Sequence, residues 1–308
     1  MIWTAGRNQQ LGELIADVFR DAGAVPREYQ AVIAGGPPGA DKAAALERPG
    51  IGRSQFLVIS VGGVLTRMAA RGLVPGVAGR PPLAGAGLVH AEARQVAKRI
   101  ALVAVNDGWN ILLDVTLASL PSAESWTYAL RFADYSVTAV YAGLTAGESV
   151  RRSEAAYRHD EEEYRQGRGF GGRPLPPDAI EALAGPAAAA ARDSIRWASG
   201  AESASVTAGH TRRGGRPGGA VTAMIDTYRG GQLDLEGLGL EFRARRWPAV
   251  PSVCPPALEP AGPAVDDLEP YVPGSFDDVV LAYDLGKLSD DEYEFLAGAV
   301  GISVPEPG

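Results

Sequence analysis

A glycine- and proline-rich turn stands between an apolar run and an alanine-rich stretch near the start of the chain, and this order has the outline of a phosphate-binding loop. Residues 29–34 predict a buried strand, and a helix is expected to begin near Lys42. In the signature of such loops, a glycine is followed by four residues, a second glycine, a lysine, and a serine or threonine. Counted from Gly36, this chain has Asp41 and Ala43 in place of the second glycine and the hydroxyl residue.

Both replacements bear on phosphate binding. In an intact loop, backbone N–H groups and the helix N-terminus hold the phosphates, and the hydroxyl binds Mg²⁺. Asp41 places a carboxylate beside them, and two like charges about 4 Å apart repel by about 4 kcal/mol at an effective dielectric constant of about 20. Unless the side chain turns away, the affinity would fall about a thousandfold. Ala43 lacks the hydroxyl that would bind the metal. The simpler alternative for the whole stretch is that it is only a turn that ends the strand, and not a phosphate-binding loop.

The composition excludes several classes of protein. With 308 residues, 46% of them hydrophobic, the chain can bury a sizeable core in one large domain or two smaller ones. A net charge of −8 argues against non-specific binding to nucleic acids or anionic membranes. The single cysteine, Cys254, excludes a disulfide within the chain and argues against a cysteine metal site. Without an apolar run of about 18 residues or a signal-like start, a cytoplasmic location is expected, and the composition is typical of GC-rich bacteria.

Apolar runs alternate with helical patterns along the first 183 residues. Besides the run before the loop, strands are predicted at 56–61, 110–116 and 137–142, and helices at 8–23, 87–105, 122–133 and from Ser149 onward. Alternating strands and helices are typical of a doubly wound α/β domain, in which ligands bind at the carboxyl ends of the strands. We therefore expect a three-layer P-loop kinase-like domain with a parallel sheet at residues 8–183.

Beyond residue 183 the character of the sequence changes. Residues 184–220 are rich in alanine, glycine and arginine and predict a linker. Residues 221–308 predict a helical C-terminal extension, interrupted by a proline-rich linker at 248–274. Within this extension, Ser289 and Glu292 have the spacing of a capping box and predict the start of the last helix.

The segment 149–173 is rich in arginine, with Arg151, Arg152, Arg158, Arg165, Arg168 and Arg173. A charged helix is most often a solvated face, and the glutamates at 161–163 could pair with these arginines locally. The alternative is a lid over the loop, whose arginines neutralise a phosphoryl group during its transfer. Because a candidate phosphate loop lies upstream, the lid is favoured.

Some side chains have simple structural explanations. His90 lies among alanines on an amphipathic helix and is expected to be a packing or surface residue. Trp126 is expected in the core rather than as a stacking platform for a base. No protein metal site is predicted from the spacing of histidines and cysteine.

Taken in order, these motifs resemble the zeta-toxin family, the P-loop kinases of bacterial toxin–antitoxin pairs. The resemblance rests on the loop, the strand at 58–61, the pair Asp114 and Thr116, and the Gly-Gly-Arg sequence at 171–173. It spans about residues 31–180 and does not reach the C-terminal part. It implies an ATP-dependent kinase that phosphorylates a sugar hydroxyl of UDP-N-acetylglucosamine or a related nucleotide sugar. ATP and Mg²⁺ would be the cofactors, the nucleotide sugar the substrate, and an antitoxin-like protein a possible partner.

The resemblance implies a nucleotide site on the loop. Lys42 would contact the β- and γ-phosphates, as the loop lysine of the family does. The backbone of Gly36, Gly39 and Ala40 would complete the cradle together with Ala43.

It also implies residues for the substrate and for phosphate transfer. Asp114 and Thr116 match the acid and threonine that hold the sugar. Arg158 and Arg173 match the lid arginines that clamp the transferring phosphate, and residues 151–152 are rivals for the role of Arg158.

The general base of the family is missing. The family has an aspartate directly after the second strand, where this chain has Gly62 or Gly63. Loss of a general base typically costs about 10²–10⁴-fold in rate. Asp114 could replace the base and Asp41 could bind Mg²⁺ directly, but the combined losses favour a second interpretation. In that interpretation the chain is a catalytically inactive relative that acts by binding.

Overall fold

The computed structural model describes residue 3, residues 5–183, 219–252 and 265–301, and the single positions 189, 193 and 262. Within these residues, four parallel strands form a sheet: β1 (Gln30–Gly35), β2 (Leu57–Ser60), β3 (Ile111–Val115) and β4 (Ser136–Tyr141). Their order across the sheet is β2-β3-β1-β4. The parallel sheet confirms the predicted α/β class, and each predicted strand is present.

Helices alternate with these strands and continue beyond them. Those before residue 184 are α1 (Ala5–Ala22), α2 (Lys42–Glu47), α3 (Val61–Ala70), α4 (His90–Asn106), α5 (Leu120–Phe132), α6 (Ala146–Arg165) and α7 (Pro177–Ala182). Those of the C-terminal part are α8 (Gly219–Arg229), α9 (Leu235–Ala244), α10 (Asp277–Asp284) and α11 (Asp290–Ala299). Short 3₁₀ helices span Arg53–Gln55 and Pro82–Val89. The long helix predicted from residue 87 therefore begins at His90.

The sheet is covered on both faces, because successive side chains of a strand point to opposite sides. Ile33, Ile59 and Leu113 face a large core that they share with α1, α3, α4 and α5. Val32 and Leu112 face a smaller core with Leu46 of α2 on the other side. The strands are nearly continuous apolar runs because both of their faces are buried. This arrangement confirms the three predicted layers.

The topology places the phosphate-type loop at the centre of the sheet edge. β1 pairs with β3 on one side and with β4 on the other, with Ala34 opposite Asp114 and Val140. Ligands of open α/β sheets bind outside the carboxyl ends of the strands, at the point where the strand order reverses. Here this point lies after Gly35, where the loop begins.

The C-terminal part consists of two helical hairpins, α8–α9 and α10–α11, that share one apolar core. The hairpins turn through Gly231 and Gly286, whose φ angles of 72° and 68° lie in the left-handed region that favours glycine. The helices after the turns are capped by Asp234 and Ser289, and the capping box at Ser289 is confirmed. The predicted helical C-terminal extension is thus present in the described residues.

Helix α4 contacts both the sheet and the C-terminal helices. Its apolar face packs on the sheet, and its polar face is buried by the C-terminal helices through ion pairs. The Nζ atom of Lys98 lies 2.7 Å from Asp277, and Arg99 pairs with Asp284.

Part of the predicted linker at 248–274 is packed instead. Residues 265–271, which we name the strap, lie against the α/β domain, and Leu268 and Tyr271 belong to its main core. The sequence suggested a solvated linker because this stretch holds prolines and acids, but the acids are bound by groups of the domain. Residue Cys254 and nearly all of the predicted linker at 184–220 lie outside the described residues. The domain limits stay a prediction.

Candidate functional site

An open cleft of about 450 Å³ lies at the carboxyl end of the sheet. Its walls are the loop after β1, the end of β3, one face of α6 and the segment that follows α6. The predicted site residues Gly39, Ala40, Lys42, Ala43, Asp114 and Arg173 all line it. Residues far apart in the sequence therefore meet where the topology predicts a ligand site, although their roles stay predictions.

The loop is fixed against helix α6. Gly39 has a φ of 76°, and a Cβ atom there would lie 2.8 Å from Cβ of Arg152. The Oγ atom of Ser149 donates a 2.6 Å hydrogen bond to the carbonyl oxygen of Pro38. Gly36 lies just as close to its surroundings, since a Cβ there would be 2.6 Å from the carbonyl oxygen of Ala142. Glycine is thus required at both predicted positions of the loop.

The carboxylate of Asp41 lies on the helix end that would bind a phosphate. Asp41 is the N-cap residue of α2, and its Oδ1 atom accepts a 2.9 Å hydrogen bond from the backbone N–H of Ala44. N-capping by aspartate stabilises a helix, so moving this side chain away from the helix end costs free energy. A phosphate in this position must displace the carboxylate or lie beside it.

The loop lysine is paired with a carboxylate of the sheet. Nζ of Lys42 lies 2.7 Å from Oδ1 of Asp114, and Nη2 of Arg53 lies 3.9 Å from Oδ2 of the same residue. The side chains of Lys42 and Asp114 are only 16% and 23% exposed. Asp114 is thus bound by two cations, and no pattern in the sequence predicts that Arg53 reaches it.

Arg173 is held by a carboxylate of the strap. Its Nη1 and Nη2 atoms each donate a 2.7 Å hydrogen bond to Asp266, one to each oxygen. Nε2 of His90 lies 2.9 Å from the same carboxylate. Burial would raise the pKa of Asp266, but the charge of Arg173 and the hydrogen bond with His90 outweigh it and hold this pKa well below its usual range.

His90 is therefore more than a packing residue. It is 4% exposed, and burial lowers its pKa although the hydrogen bond with Asp266 opposes the shift. A neutral imidazole at neutral pH donates one N–H, and here the carboxylate accepts it. The sequence did not predict this contact, because Asp266 lies 176 residues further along the chain.

Thr116 faces the strap instead of the cleft. Its Oγ1 atom donates a 3.0 Å hydrogen bond to Asp267, which also accepts hydrogen bonds from the backbone N–H groups of Leu117, Ala118 and Ser119 at 2.7–2.8 Å. Thr116 is 5% exposed and is absent from the cleft wall. The structure thus does not bring it to the position that the resemblance implied.

Arg158 also lies away from the cleft wall. Its side chain is 75% exposed and pairs with Glu154 one turn earlier on α6, at 3.0 Å. The rival Arg152 lies beside Gly39 of the loop. For Arg158 the alternative of a solvated charged face matches the structure, whereas Arg173 lines the cleft.

The turn after β2 holds no carboxylate. Ser60 ends the strand and caps α3, accepting a 3.0 Å hydrogen bond from the N–H of Gly63. Gly62 and Gly63 lie in the first turn of that helix, and neither residue carries an acidic group. One acid that sequence reasoning missed, Asp160 of α6, lines the cleft, and burial raises its pKa above the usual range.

The described residues do not fit a magnesium–ATP complex as an intact loop does. Ala43 offers no hydroxyl, Asp41 caps the helix, and Asp114 is bound by Lys42. Across the described part of the chain, no three histidine, cysteine or acidic side chains cluster as metal ligands would.

Comparison with known proteins supports the resemblance. Residues 64–196 match the sequence model of the family described as Zeta toxin, which is less than half of the chain. The match begins after the loop and includes β3, β4 and α6, and it indicates a P-loop kinase-like, nucleotide-binding function. No curated protein and no solved structure matches the chain. In the residues that the structure describes, no helix is long and apolar enough to span a bilayer.

Proposed function

We propose that this chain is a nucleotide-binding relative of the zeta toxins that acts by binding and has little or no phosphotransfer activity. Its ligand would be ATP or a nucleotide sugar such as UDP-N-acetylglucosamine, bound in the cleft at the carboxyl end of the sheet. The family match, the position of the cleft and the retained Lys42 support the nucleotide site. We infer the loss of phosphotransfer activity mainly from the hydrogen bond between the Asp41 carboxylate and the N–H of Ala44.

The weight of that contact follows from charge. A phosphate placed on the same helix end would lie about 4 Å from the carboxylate, at a cost of about 1 kcal/mol in water and about 4 kcal/mol at an effective dielectric constant of about 20. Asp41 is exposed, so the true cost lies between these limits. The affinity for a phosphate would be reduced between about fivefold and a thousandfold.

Two further features support the same conclusion. The turn after β2 offers no base to take a proton from a sugar hydroxyl. The loop lysine forms an ion pair with Asp114 and would have to exchange this partner for a phosphate oxygen.

A second candidate is an active kinase that phosphorylates a sugar hydroxyl of UDP-N-acetylglucosamine or a related nucleotide sugar. The observation in its favour is Asp160, a carboxylate in the cleft wall with a raised pKa, since a general base works best when its pKa lies near neutral. An antitoxin-like protein is the partner proposed for both candidates, and the family match supports it.

Binding of ATP with Mg²⁺, measured by calorimetry, tests the proposal. We compare the wild type with the double variant Asp41→Gly/Ala43→Ser, which restores the loop signature. Asp234→Ala serves as the matched control, because it removes an N-cap carboxylate of another helix, away from the cleft. The repaired loop should bind ATP at least about fivefold more tightly than the wild type, and the control should bind like the wild type.

Transfer of phosphate from ATP to UDP-N-acetylglucosamine is measured with the same proteins. Rapid turnover by the wild type would refute the proposed loss of activity and favour the kinase. Absence of ATP binding by the wild type and the repaired loop alike would refute the nucleotide site itself.

A further inference from the structure

The strap carries two consecutive carboxylates, and one of them, Asp266, lines the cleft and pairs with Arg173. Asp266 lines the cleft together with Lys42 and Arg173. We propose that Asp266 is a built-in anionic ligand of the cleft, which holds the Arg173 guanidinium and so keeps it from phosphates bound on the loop. This inference rests on the proposed function, in which the loop is a phosphate site.

The contact has the geometry with which arginine binds a phosphate. Both terminal nitrogens of Arg173 donate to the two oxygens of Asp266 at 2.7 Å, the bidentate arrangement that also suits phosphate oxygens. The side chains are 16% and 20% exposed, so little water competes with them. A phosphate that approached Arg173 would have to replace a carboxylate that already satisfies the fork.

The strap is anchored, so this occupation belongs to the native state. Asp267 accepts four hydrogen bonds from residues 116–119, the connection between β3 and α5. Leu268 and Tyr271 are 0% and 2% exposed in the main core. A segment held by a buried carboxylate and two core side chains cannot leave the cleft without exposing them. Asp266 therefore behaves as a permanent part of the wall and not as a reversible plug.

The consequence is a cleft without excess positive charge. Its wall carries three cations, Lys42, Arg53 and Arg173. The same wall carries four acids, Asp41, Asp114, Asp160 and Asp266. Each cation has a carboxylate within 3.9 Å, so a polyphosphate must break an ion pair wherever it binds. The strap thus extends the effect of Asp41 from the loop to the opposite wall.

Calorimetry with inorganic tripolyphosphate tests this role of Asp266. The background is the repaired loop, Asp41→Gly/Ala43→Ser, so that the loop itself does not limit binding. Adding Asp266→Asn should raise the affinity about tenfold or more, because Arg173 gains a free fork for a charge-assisted hydrogen bond. The matched control is Glu269→Gln, which removes a carboxylate of the same strap that pairs with Arg94 outside the cleft wall. Because neither Glu269 nor Arg94 lines the cleft, the control should stay within about twofold of the background.

The outcomes separate this inference from the proposed function. Binding by the repaired loop without a gain from Asp266→Asn, or an equal gain from Glu269→Gln, overturns the inference and leaves the nucleotide site standing. Binding only after Asp266→Asn supports the inference and refutes the view that Asp41 alone limits the site. If none of the proteins binds tripolyphosphate, both proposals fail.

Thermal unfolding provides a second readout in case Asp266→Asn is unstable. An anion that replaces the lost carboxylate on Arg173 stabilises the folded state, since a ligand that binds only the folded form raises its melting temperature. Tripolyphosphate should therefore raise the melting temperature of Asp266→Asn more than that of Glu269→Gln. Equal shifts in the two variants would overturn the inference.

Discussion

Replacement of Asp267 by alanine should lower the free energy of unfolding far more than a substitution in a solvated linker would, although the sequence predicted a linker at this position. The Asp267 carboxylate accepts hydrogen bonds from three backbone N–H groups and from the hydroxyl of Thr116, and it is 1% exposed. Alanine leaves these four donors without an acceptor. A buried donor left unsatisfied costs about 1–3 kcal/mol, so the lower end of the range gives about 4 kcal/mol.

Removal of the buried charge offsets part of this loss. We therefore expect the free energy of unfolding to fall by about 3 kcal/mol in Asp267→Ala. At about 1.5 °C per kcal/mol for a chain of this size, the melting temperature should drop by about 5 °C.

Urea unfolding followed by circular dichroism measures the change. The yardstick is Asp234→Ala, whose carboxylate accepts one hydrogen bond, from the N–H of Gly237 at 2.7 Å. Loss of that exposed cap should cost about 1 kcal/mol. If Asp267→Ala costs no more than the yardstick, the strap does not anchor the C-terminal part and the reasoning on permanent occupation of the cleft fails.

Two further predictions concern the packing of the loop and a buried acid. Gly39→Ala should cost about 1–3 kcal/mol by urea unfolding, because φ is 76° and its Cβ would lie 2.8 Å from Cβ of Arg152. In the control Gly147→Ala, in α6, the added Cβ would have no heavy atom within 4 Å, so this variant should be as stable as the wild type or more stable. Equal losses of stability in Gly39→Ala and Gly147→Ala would contradict the steric argument. Burial raises the pKa of Asp278 from 3.8 to about 6, so the folded state binds the proton more tightly than the unfolded state does. The stability of the wild type relative to Asp278→Asn should therefore fall by about 3 kcal/mol as pH rises from about 4 to about 6, whereas a constant difference would contradict the raised pKa.

The sequence predicted those parts of the fold that depend on neighbours along the chain. The strands are apolar because both of their faces are buried, and a run such as 110–116 shows this without any knowledge of partners. The turn at Gly36 and Gly39, and the capping box at Ser289, are also local patterns. Since parallel strands end at one edge, the meeting of Lys42 and Asp114 followed from the predicted topology.

The parts that were missed depend on contacts between distant residues. Asp266 and Asp267 lie in a stretch whose prolines and acids are typical of a solvated linker, and only the groups that bind them make it part of the domain. Thr116 was predicted to face a substrate, but its hydroxyl is used by a carboxylate 151 residues away. Pattern analysis has no access to such pairs, so it also could not separate Arg173 from Arg158.

The strap also determines when the α/β domain can finish folding during synthesis. The last helix of the domain before the undescribed stretch ends at Ala182, yet Leu268 and Tyr271 belong to the main core of that domain. At about 5–20 residues per second, the ribosome needs about 4–17 s to add the intervening chain. During that interval, the backbone N–H groups of residues 117–119 lack their carboxylate and the indole N–H of Trp126 lacks the carbonyl oxygen of Glu269. Until the strap is synthesised, the main core of the nascent domain therefore lacks two of its side chains and stays partly exposed. Exposed apolar surface of this kind is what chaperones bind.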